Sequence, residues 1–493
     1  MNMQFLKKTL ILPVLFIHLQ VSSQTTSIEL PFADMLDSLS SQKMFDNAFN
    51  RPVFPKNNKY KFAEDSIPRY DDYSYQARLA KLDAVSPFDL IYNPHVKGFI
   101  EMYTMRKRES VSRMMGVAQL YYPMFEEVLD RYNIPLELKH LAVIESALIP
   151  YAKSHAGATG LWQFMYPTGK MYGLNVTSYI DQRCDPYKAT VAAAEYLKSL
   201  YSMFGDWQMV LAAYNAGPGS ISKAIRRSGG KRTYWEIRPF LPLETQGYVP
   251  AFIAANYVMT HGPEHNIYPA LPRKTYFEVD TVVVKEQMSF EQISQALDIT
   301  SEEILYFNPQ YRKNIIPAGG NSVCLPKNKI ATFLNNEQAI YAAIQAQRKE
   351  GDVIETLAEV KRTHTVRSGE KLSTIARKYG VTVAELKTWN YVGKKGLRPG
   401  KKLVVYVKVP KAASKKTQDS EKNIAVVNND ENNLLADNTR VKPQYVYHKV
   451  KKGESLFGIS KKYNVDHTQV MELNTLKTKN LKYGQVLKIK TKE

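Results

Sequence analysis

The chain has 493 residues, of which 44% are hydrophobic and 23% charged, the composition of a globular protein of about two to four domains. Wholesale disorder, a collagen repeat and a multi-span membrane protein are excluded, and two cysteines exclude a disulfide scaffold or a cysteine-rich zinc module. The net charge of +20 sits at one end: residues 361–493 hold 30 Lys and Arg against 11 Asp and Glu, and residues 1–360 hold 37 against 36. Such a basic end suits nucleic acid, anionic lipid or an anionic wall polymer, and charge alone does not choose among them.

At the N-terminus, Lys7 and Lys8 precede the apolar run Leu10 to Leu19 and then small and polar residues up to Gln24. That is the layout of a secretory signal peptide over residues 1–24; the alternative is an ordinary N-terminal helix. The run is about half the ~20 residues of a membrane span, and no later segment is long enough to cross. No cysteine stands near the expected cleavage point, so no lipoprotein signal is seen. The expectation is an exported protein, periplasmic or associated with the cell envelope, which disfavours nucleic acid as a partner.

Residues 25–92 are polar with scattered prolines and read as a partly extended lead-in. From residue 93 to about 265 the pattern is helical: Val117, Leu120, Tyr121, Met124, Val128 and Leu129 recur at helical spacing. Asp185-Pro186 starts a helix whose buried face is Ala192, Ala193, Tyr196, Leu197 and Leu200, and Gly217-Pro218-Gly219 breaks one helix and opens the next. Within this region Glu145 lies in Leu141-Ala-Val-Ile-Glu-Ser-Ala-Leu-Ile149, with Leu141 and Leu148 expected on its helix face. Burial there would raise its pKa and suit a general acid, while a buried Glu satisfied by an ion pair or backbone amides fits equally well. His261 and His265 read as solvated loop histidines, and Cys184 and Cys324 as free buried thiols; no metal site or cofactor is expected.

The C-terminal part holds a repeat. His364-Thr-Val-Arg-Ser-Gly-Glu-Lys-Leu372 matches His448-Lys-Val-Lys-Lys-Gly-Glu-Ser-Leu456, and the offset holds through Ile375/Ile459, Tyr379/Tyr463, Asn390/Asn474 and Leu403/Leu487. Each copy, residues 362–408 and 445–491, reads strand, helix, helix, strand. The pattern resembles the LysM module, a βααβ domain that binds N-acetylglucosamine-containing glycans. A degenerate LysM-like copy without the Gly-Glu turn is expected at 276–328, followed by a helical linker at 329–361. Residues 409–444 are expected to be a flexible linker.

Glu145-Ser146, Ser154, Gly160-Leu-Trp-Gln-Phe-Met165, Ala213-Tyr214-Asn215-Ala-Gly217 and Glu244-Thr-Gln-Gly-Tyr248 stand in an order and spacing that resemble the lytic transglycosylase domain of the soluble (SLT) type. The resemblance implies a multidomain chain: a mainly α, lysozyme-like catalytic domain within 93–265, then small βααβ LysM modules. It implies non-hydrolytic cleavage of peptidoglycan glycan strands between N-acetylmuramic acid and N-acetylglucosamine, giving 1,6-anhydromuramic acid ends, with Glu145 as the single acid and base. By the same resemblance Ser146 stands among the substrate-binding residues and helps fix the catalytic helix, with a mid-helix serine bonded to a carbonyl as the alternative, and Ser154 lies near the acetamido group. Gly160 lets the backbone approach the sugar, Gln163 bonds sugar hydroxyls or amides, and Met165 packs on a sugar face. Tyr214 and Asn215 line the cleft, and Tyr248 stands close to Glu145, while Trp162 reads as core. Two rivals are a goose-lysozyme-like hydrolase, which would need a second carboxylate such as Asp181, Asp185 or Asp206, and an inactive wall-binding protein.

Overall fold

The computed structural model describes residues 28–40, 54–55, 58–347, 357–390, 397–410 and 445–450, with scattered positions from 456 to 490. The expected signal peptide and residues 411–444 of the expected linker lie outside the described residues. The chain divides into two compact units, Met1–Ser420 and Glu421–Glu493. Among the described residues no helix is long and apolar enough to cross a membrane.

Among the described residues, the segment expected as a partly extended lead-in contains the helices α1 (Leu30–Ser40) and α2 (Asp72–Asp83). Phe32 and Leu36 of α1 and Tyr75 and Leu79 of α2 are buried in the main core. Asp71 caps α2 by accepting from the Ser74 amide at 2.8 Å, and Asn93 caps α3 (Pro94–Glu101) in the same way. The apolar stripe read from the sequence is the buried face of α4 (Arg108–Arg131). A short 3₁₀ turn, Leu136–His140, leads into α5 (Leu141–Ser146), and α6 (Tyr166–Met171) follows an irregular loop.

Asp185 caps α7 (Pro186–Phe204) through the Lys188 amide at 2.9 Å, with Pro186 in the first turn. Asp206 caps α8 (Trp207–Ala216), and α9 (Pro218–Arg227) begins after Gly217. A one-turn α10 (Tyr234–Ile237) precedes α11 (Leu243–His261). Helix α7 packs against α4 and α8, and α11 against α3 and α8. Trp162 is fully buried here, its ring 5.1 Å from Phe125 and its indole N–H on Thr190 Oγ1 at 2.9 Å. It is core, as expected, and burial of a side chain this size is worth about 2–3 kcal/mol.

The next module pairs β1 (Val279–Val284) antiparallel with β4 (Asn321–Pro326), and the short β2 (Met288–Ser289) with β3 (Ile315–Ile316). Between them lie α12 (Phe290–Leu297) and α13 (Ser301–Phe307), which gives the strand, helix, helix, strand order of the expected degenerate copy. The stretch expected as a helical linker forms α14 (Lys327–Gln347), but Phe333 and Ile344 are buried in this module's own core. The helix is thus part of the module, because its apolar side chains have a core to cover.

The first repeat copy pairs β5 (Leu357–Thr365) antiparallel with β6 (Lys402–Pro410) around α15 (Leu372–Tyr379) and α16 (Val383–Asn390). Asn390 ties its helix to β6: Oδ1 accepts from the Val404 amide at 2.6 Å and Nδ2 donates to the Val404 carbonyl at 2.7 Å. Asn308 does the same in the degenerate module, accepting from the Cys324 amide at 2.8 Å and donating to its carbonyl at 2.7 Å. In the second unit, β7 (Tyr445–Lys449) pairs antiparallel with β8 (Val486–Lys490) over Val450, Leu456, Ile459, Leu487 and Ile489. The His364–Tyr379 side-chain pair at 3.1 Å recurs there as His448–Tyr463 at 2.9 Å.

Candidate active site

Glu145 is the penultimate residue of α5, and the helix stops there for a local reason. Ala147 and Leu148 take φ of 49° and 61°, in the left-handed region that β-carbon-bearing residues seldom adopt. The expectation that Leu148 continues the helix face of Glu145 is therefore corrected. Leu148 is buried, but beyond the turn, with its amide on the Ala142 carbonyl at 3.2 Å. The abrupt end leaves Glu145 at the floor of a cavity of about 530 Å³. Ala152, Ser154, Gln163, Met165, Tyr214, Asn215, Glu244 and Tyr248 share its lining.

Burial pushes the Glu145 carboxyl from its ordinary 4.5 up to about 8. The Tyr248 hydroxyl, from α11, donates to Oε1 of Glu145 and pulls the other way, and the nearby Glu244 carboxylate adds a further upward push. No ion pair or backbone amide of the buried-structural reading falls on Glu145 among the described contacts. Tyr248 itself is held as a phenol, far from ionising, by burial and by the carboxylate beside it. An acid that stays protonated near neutrality, with one fixed donor on it, can give its proton to a leaving oxygen and afterwards take one back.

The residues expected to touch substrate divide in two. Ser154, Met165, Tyr214, Asn215, Gln163 and Tyr248 line the cavity. Ser146 does not: it is fully buried, and its hydroxyl lies 3.0 Å from the Ala142 carbonyl and 2.9 Å from the Leu161 carbonyl. It fastens α5 to the following loop, the helix-fixing part of what was expected of it. Gly160 does not line the cavity either. At φ +92° a β-carbon on it would sit 1.7 Å from the Arg183 carbonyl oxygen, so its close approach is to protein backbone.

The cavity side chains are themselves braced. Gln163, at φ 45°, donates from Nε2 to the Gly160 carbonyl at 2.9 Å and the Ala152 carbonyl at 3.1 Å. Tyr214 donates to the Trp162 carbonyl at 2.7 Å, Ser154 accepts from the Ala158 amide at 3.1 Å, and Asn215 accepts from Thr245 at 2.7 Å. The loop carrying Gln163 and Met165 is clamped by buried Arg183, which reaches the Gly157 carbonyl at 3.1 Å and the Phe164 carbonyl at 3.2 Å. Asp181 holds Arg183 at 2.9 Å and also pairs with Arg312 of the degenerate module at 2.5 Å.

None of the three aspartates weighed as a second carboxylate lines the cavity. Asp181 is occupied by its arginines, and Asp185 and Asp206 are helix caps. Besides Glu145, the carboxylates that line it are Glu244 and Asp34, the latter on α1. Glu244 stands in a quoted sequence block, but nothing in its spacing sets it apart from the Glu residues of ordinary helix starts. Arg183 had no sequence signal, because its role depends on a turn that only folding creates. The histidines are also corrected. His261 closes α11, and His265 is fully buried among Tyr70, Tyr75 and Tyr257, with burial pulling its pKa down to about 3. Cys184 and Cys324 are free thiols pushed up to about 12 by burial.

Comparison with known proteins adds relatives to this geometry. The family model described as "Transglycosylase SLT domain" matches residues 123–237. "Lytic transglycosylase MltD, LysM-like domain" matches 278–342, and "LysM domain" matches 364–405 and 448–490. The membrane-bound lytic murein transglycosylase D of Escherichia coli K12 is 30% identical over 366 residues, covering 73% of this chain and 74% of its own. The soluble lytic murein transglycosylase of the same strain is 33% identical over 143 residues, covering 26% of this chain and 22% of its own. The solved 70 kDa soluble lytic transglycosylase of Escherichia coli aligns over 50% of this chain and 46% of its own, at 20% identity and a TM-score of 0.28.

Proposed function

This chain belongs to the lytic murein transglycosylases that carry an SLT domain and LysM modules, and we propose that Glu145 performs both proton transfers of its reaction. The enzyme is a peptidoglycan lytic transglycosylase with LysM modules for the glycan. In the first step Glu145 protonates the glycosidic oxygen between N-acetylmuramic acid and N-acetylglucosamine. As that bond breaks, the 2-acetamido carbonyl of the muramic acid supports the positive charge at C1, a form of substrate assistance. Glu145, now a carboxylate, takes the proton of the C6 hydroxyl as its oxygen bonds to C1. A 1,6-anhydromuramic acid end results, and water is not consumed.

The observation that carries the assignment is a half-buried carboxyl that accepts from Tyr248 in the same cavity as Gln163 and Tyr214, where desolvation raises its pKa to about 8. Tyr248 orients the acid. Met165 supplies an apolar patch for a sugar face, and Ser154 and Asn215 supply polar groups for acetamido and hydroxyl groups. Export to the envelope, with residues 1–24 removed, belongs to the same reading and is supported by the sequence layout at Lys7 to Gln24.

Glu244 and Asp34 in the cavity support the hydrolase reading, since hydrolysis needs a carboxylate to activate water. Mass spectrometry of products from purified sacculi distinguishes the two, because a reducing end is heavier than an anhydro end by one water. Glu145→Gln is expected to lose turnover by at least about 10²–10⁴-fold with the fold intact. Retention of more than about a tenth of activity would remove Glu145 from the role.

A further inference from the structure

Helix α1 stands 83 positions and more ahead of the residues matched by the SLT family model, which begin at 123. Its place is nonetheless at the reacting centre. Phe32, Asp34, Met35 and Ser38 line the same cavity as Glu145. The Phe32 ring lies 6.5 Å from the ring of Tyr248 and edge-on to Phe99 at 5.2 Å.

The helix is fixed to the catalytic domain at several points. Glu29, just ahead of it, is buried and pairs with Arg106 at 2.8 Å. Lys107 pairs with Asp37. Two glycines make room for the entering chain: a β-carbon at Gly98 would sit 2.1 Å from the Glu29 carboxyl, and one at Gly247 would sit 2.6 Å from Ile28. Gly247 is the residue before Tyr248, so Ile28 and Phe32 bear on one turn of α11. Neither ion pairs nor glycine slots would be needed by a loose leader.

We propose that α1 is a working part of the active site: Phe32 is a positioning residue that holds Tyr248 against Glu145, and Asp34, Met35 and Ser38 form a wall that contacts the glycan strand. The inference rests on Glu145 as the acid. A glycan whose scissile bond reaches Glu145 must fill the cavity, and whatever fills the cavity meets this wall. The chemistry of the wall suits a sugar: a carboxylate and a hydroxyl can bond ring hydroxyls, and a thioether can lie on the apolar face of a pyranose.

Two kinds of variant test it on the full chain with purified glycan strands. Asp34→Ala/Met35→Ala alters side chains that are exposed and half-buried, where stability changes little. It is expected to raise KM about 5–20-fold, the equivalent of one or two lost contacts of about 1 kcal/mol, with a smaller change in kcat. Phe32→Ala is expected to lower kcat by about tenfold or more, with KM changed less, and Phe32→Tyr to restore most of it. Leu36→Ala is the control: it lies on the same helix, is just as buried and is not in the cavity lining. An unchanged KM in Asp34→Ala/Met35→Ala would overturn the wall. Equal kcat losses in Phe32→Ala and Leu36→Ala, in proportion to lost folded protein, would overturn the positioning role. If Glu145→Gln retains turnover, the acid assignment falls as well; if it is inactive while the α1 variants behave as wild type, this inference alone falls.

Discussion

The hydroxyl of Tyr248 donates its proton to Oε1 of Glu145 across 103 residues of sequence, joining α11 to the end of α5. Two effects compete on that carboxyl. Burial disfavours its charge, and the tyrosine favours it; burial wins, and the pKa settles near 8. The tyrosine's share can be isolated. A hydrogen bond to a charged group is worth about 1.5–3 kcal/mol, or roughly 1–2 pH units.

Tyr248→Phe should therefore move the alkaline limb of kcat/KM upward. The donor stabilises the carboxylate, so its removal raises the pKa, and Glu145 stays protonated to higher pH. Turnover at neutral pH should still fall by about 10-fold or more, because the acid loses its orientation. Glu244 remains as an upward influence in both proteins and does not reverse the sign. A pH profile on soluble glycan fragments reads the result. A limb that stays in place or moves down would refute the assignment.

Stability should carry the same signature with the opposite slope. The folded-state pKa of Glu145 is raised above its unfolded value, so between about pH 4.5 and 8 the folded protein holds a proton that the unfolded chain has released. Stability is then lost as pH rises through that window. At 1.36 kcal/mol per unit the loss by pH 7 is about 3 kcal/mol. Glu145→Gln has no proton to release. Its advantage over wild type in urea unfolding of the catalytic domain should be small near about pH 5 and should grow toward about pH 8. A gap that does not change with pH would mean that the carboxyl is not buried in its protonated form.

The helical body and the repeats were legible because both rest on periodicity. The Val117 to Leu129 stripe and the 84-residue offset between His364 and His448 are one-dimensional signals of local packing. Asp185-Pro186 was legible for the same reason, since a cap acts within three residues. Glu145 was legible only as a buried carboxyl with two readings, and the blocks around it tipped the balance. What was not legible depends on distance in sequence. Ser146 and Gly160 look like substrate-facing residues until Leu161 and Arg183 arrive to meet them. His265 reads as a loop residue because the tyrosines that bury it come from positions near 70 and from α11. Helix α1 was missed although Ile28, Phe32, Met35 and Leu36 recur at helical spacing, because the polarity and prolines of residues 25–92 taken as a whole hid so short a segment.

Gly160→Ala should cost stability more than substrate affinity. The added methyl would meet the Arg183 carbonyl at 1.7 Å, and φ +92° is strained for any residue with a β-carbon. Relief requires the Arg183 turn to move, and with it the clamp on the Gln163 and Met165 loop. A loss on the order of 2–4 kcal/mol is expected, from backbone strain together with overpacking. Thermal unfolding against KM separates the two roles. If the variant melts like wild type and only KM rises, Gly160 acts on the sugar after all.

The first LysM copy is joined to the catalytic domain by an aromatic cluster. Tyr166, which opens α6 next to Met165 of the cavity, lies 5.8 Å from Trp389 and 5.0 Å from Tyr406, and those two lie 5.3 Å apart. All three side chains are buried, and Val176 of the catalytic domain joins the same apolar cluster. Truncation of a buried aromatic costs about 3–5 kcal/mol, and Tyr166 and Val176 are the buried members that the catalytic domain gives to this cluster. Tyr166→Ala should therefore release the module while leaving its own core of Val366, Ile375, Leu386 and Leu403 in place. Quenching by iodide, measured as the difference between each protein and its Trp389→Phe counterpart, reports on Trp389 alone. It should be low in the wild type and rise several-fold in Tyr166→Ala. Binding of the module to chitooligosaccharides should be unchanged, because the βααβ core does not depend on Tyr166. Turnover on long strands should fall more than turnover on short fragments, since a released module no longer holds the strand at a fixed span from Glu145. Unchanged quenching would show that the cluster does not hold the module, and equal loss on long and short substrates would show that Tyr166 acts through Met165 and the cavity.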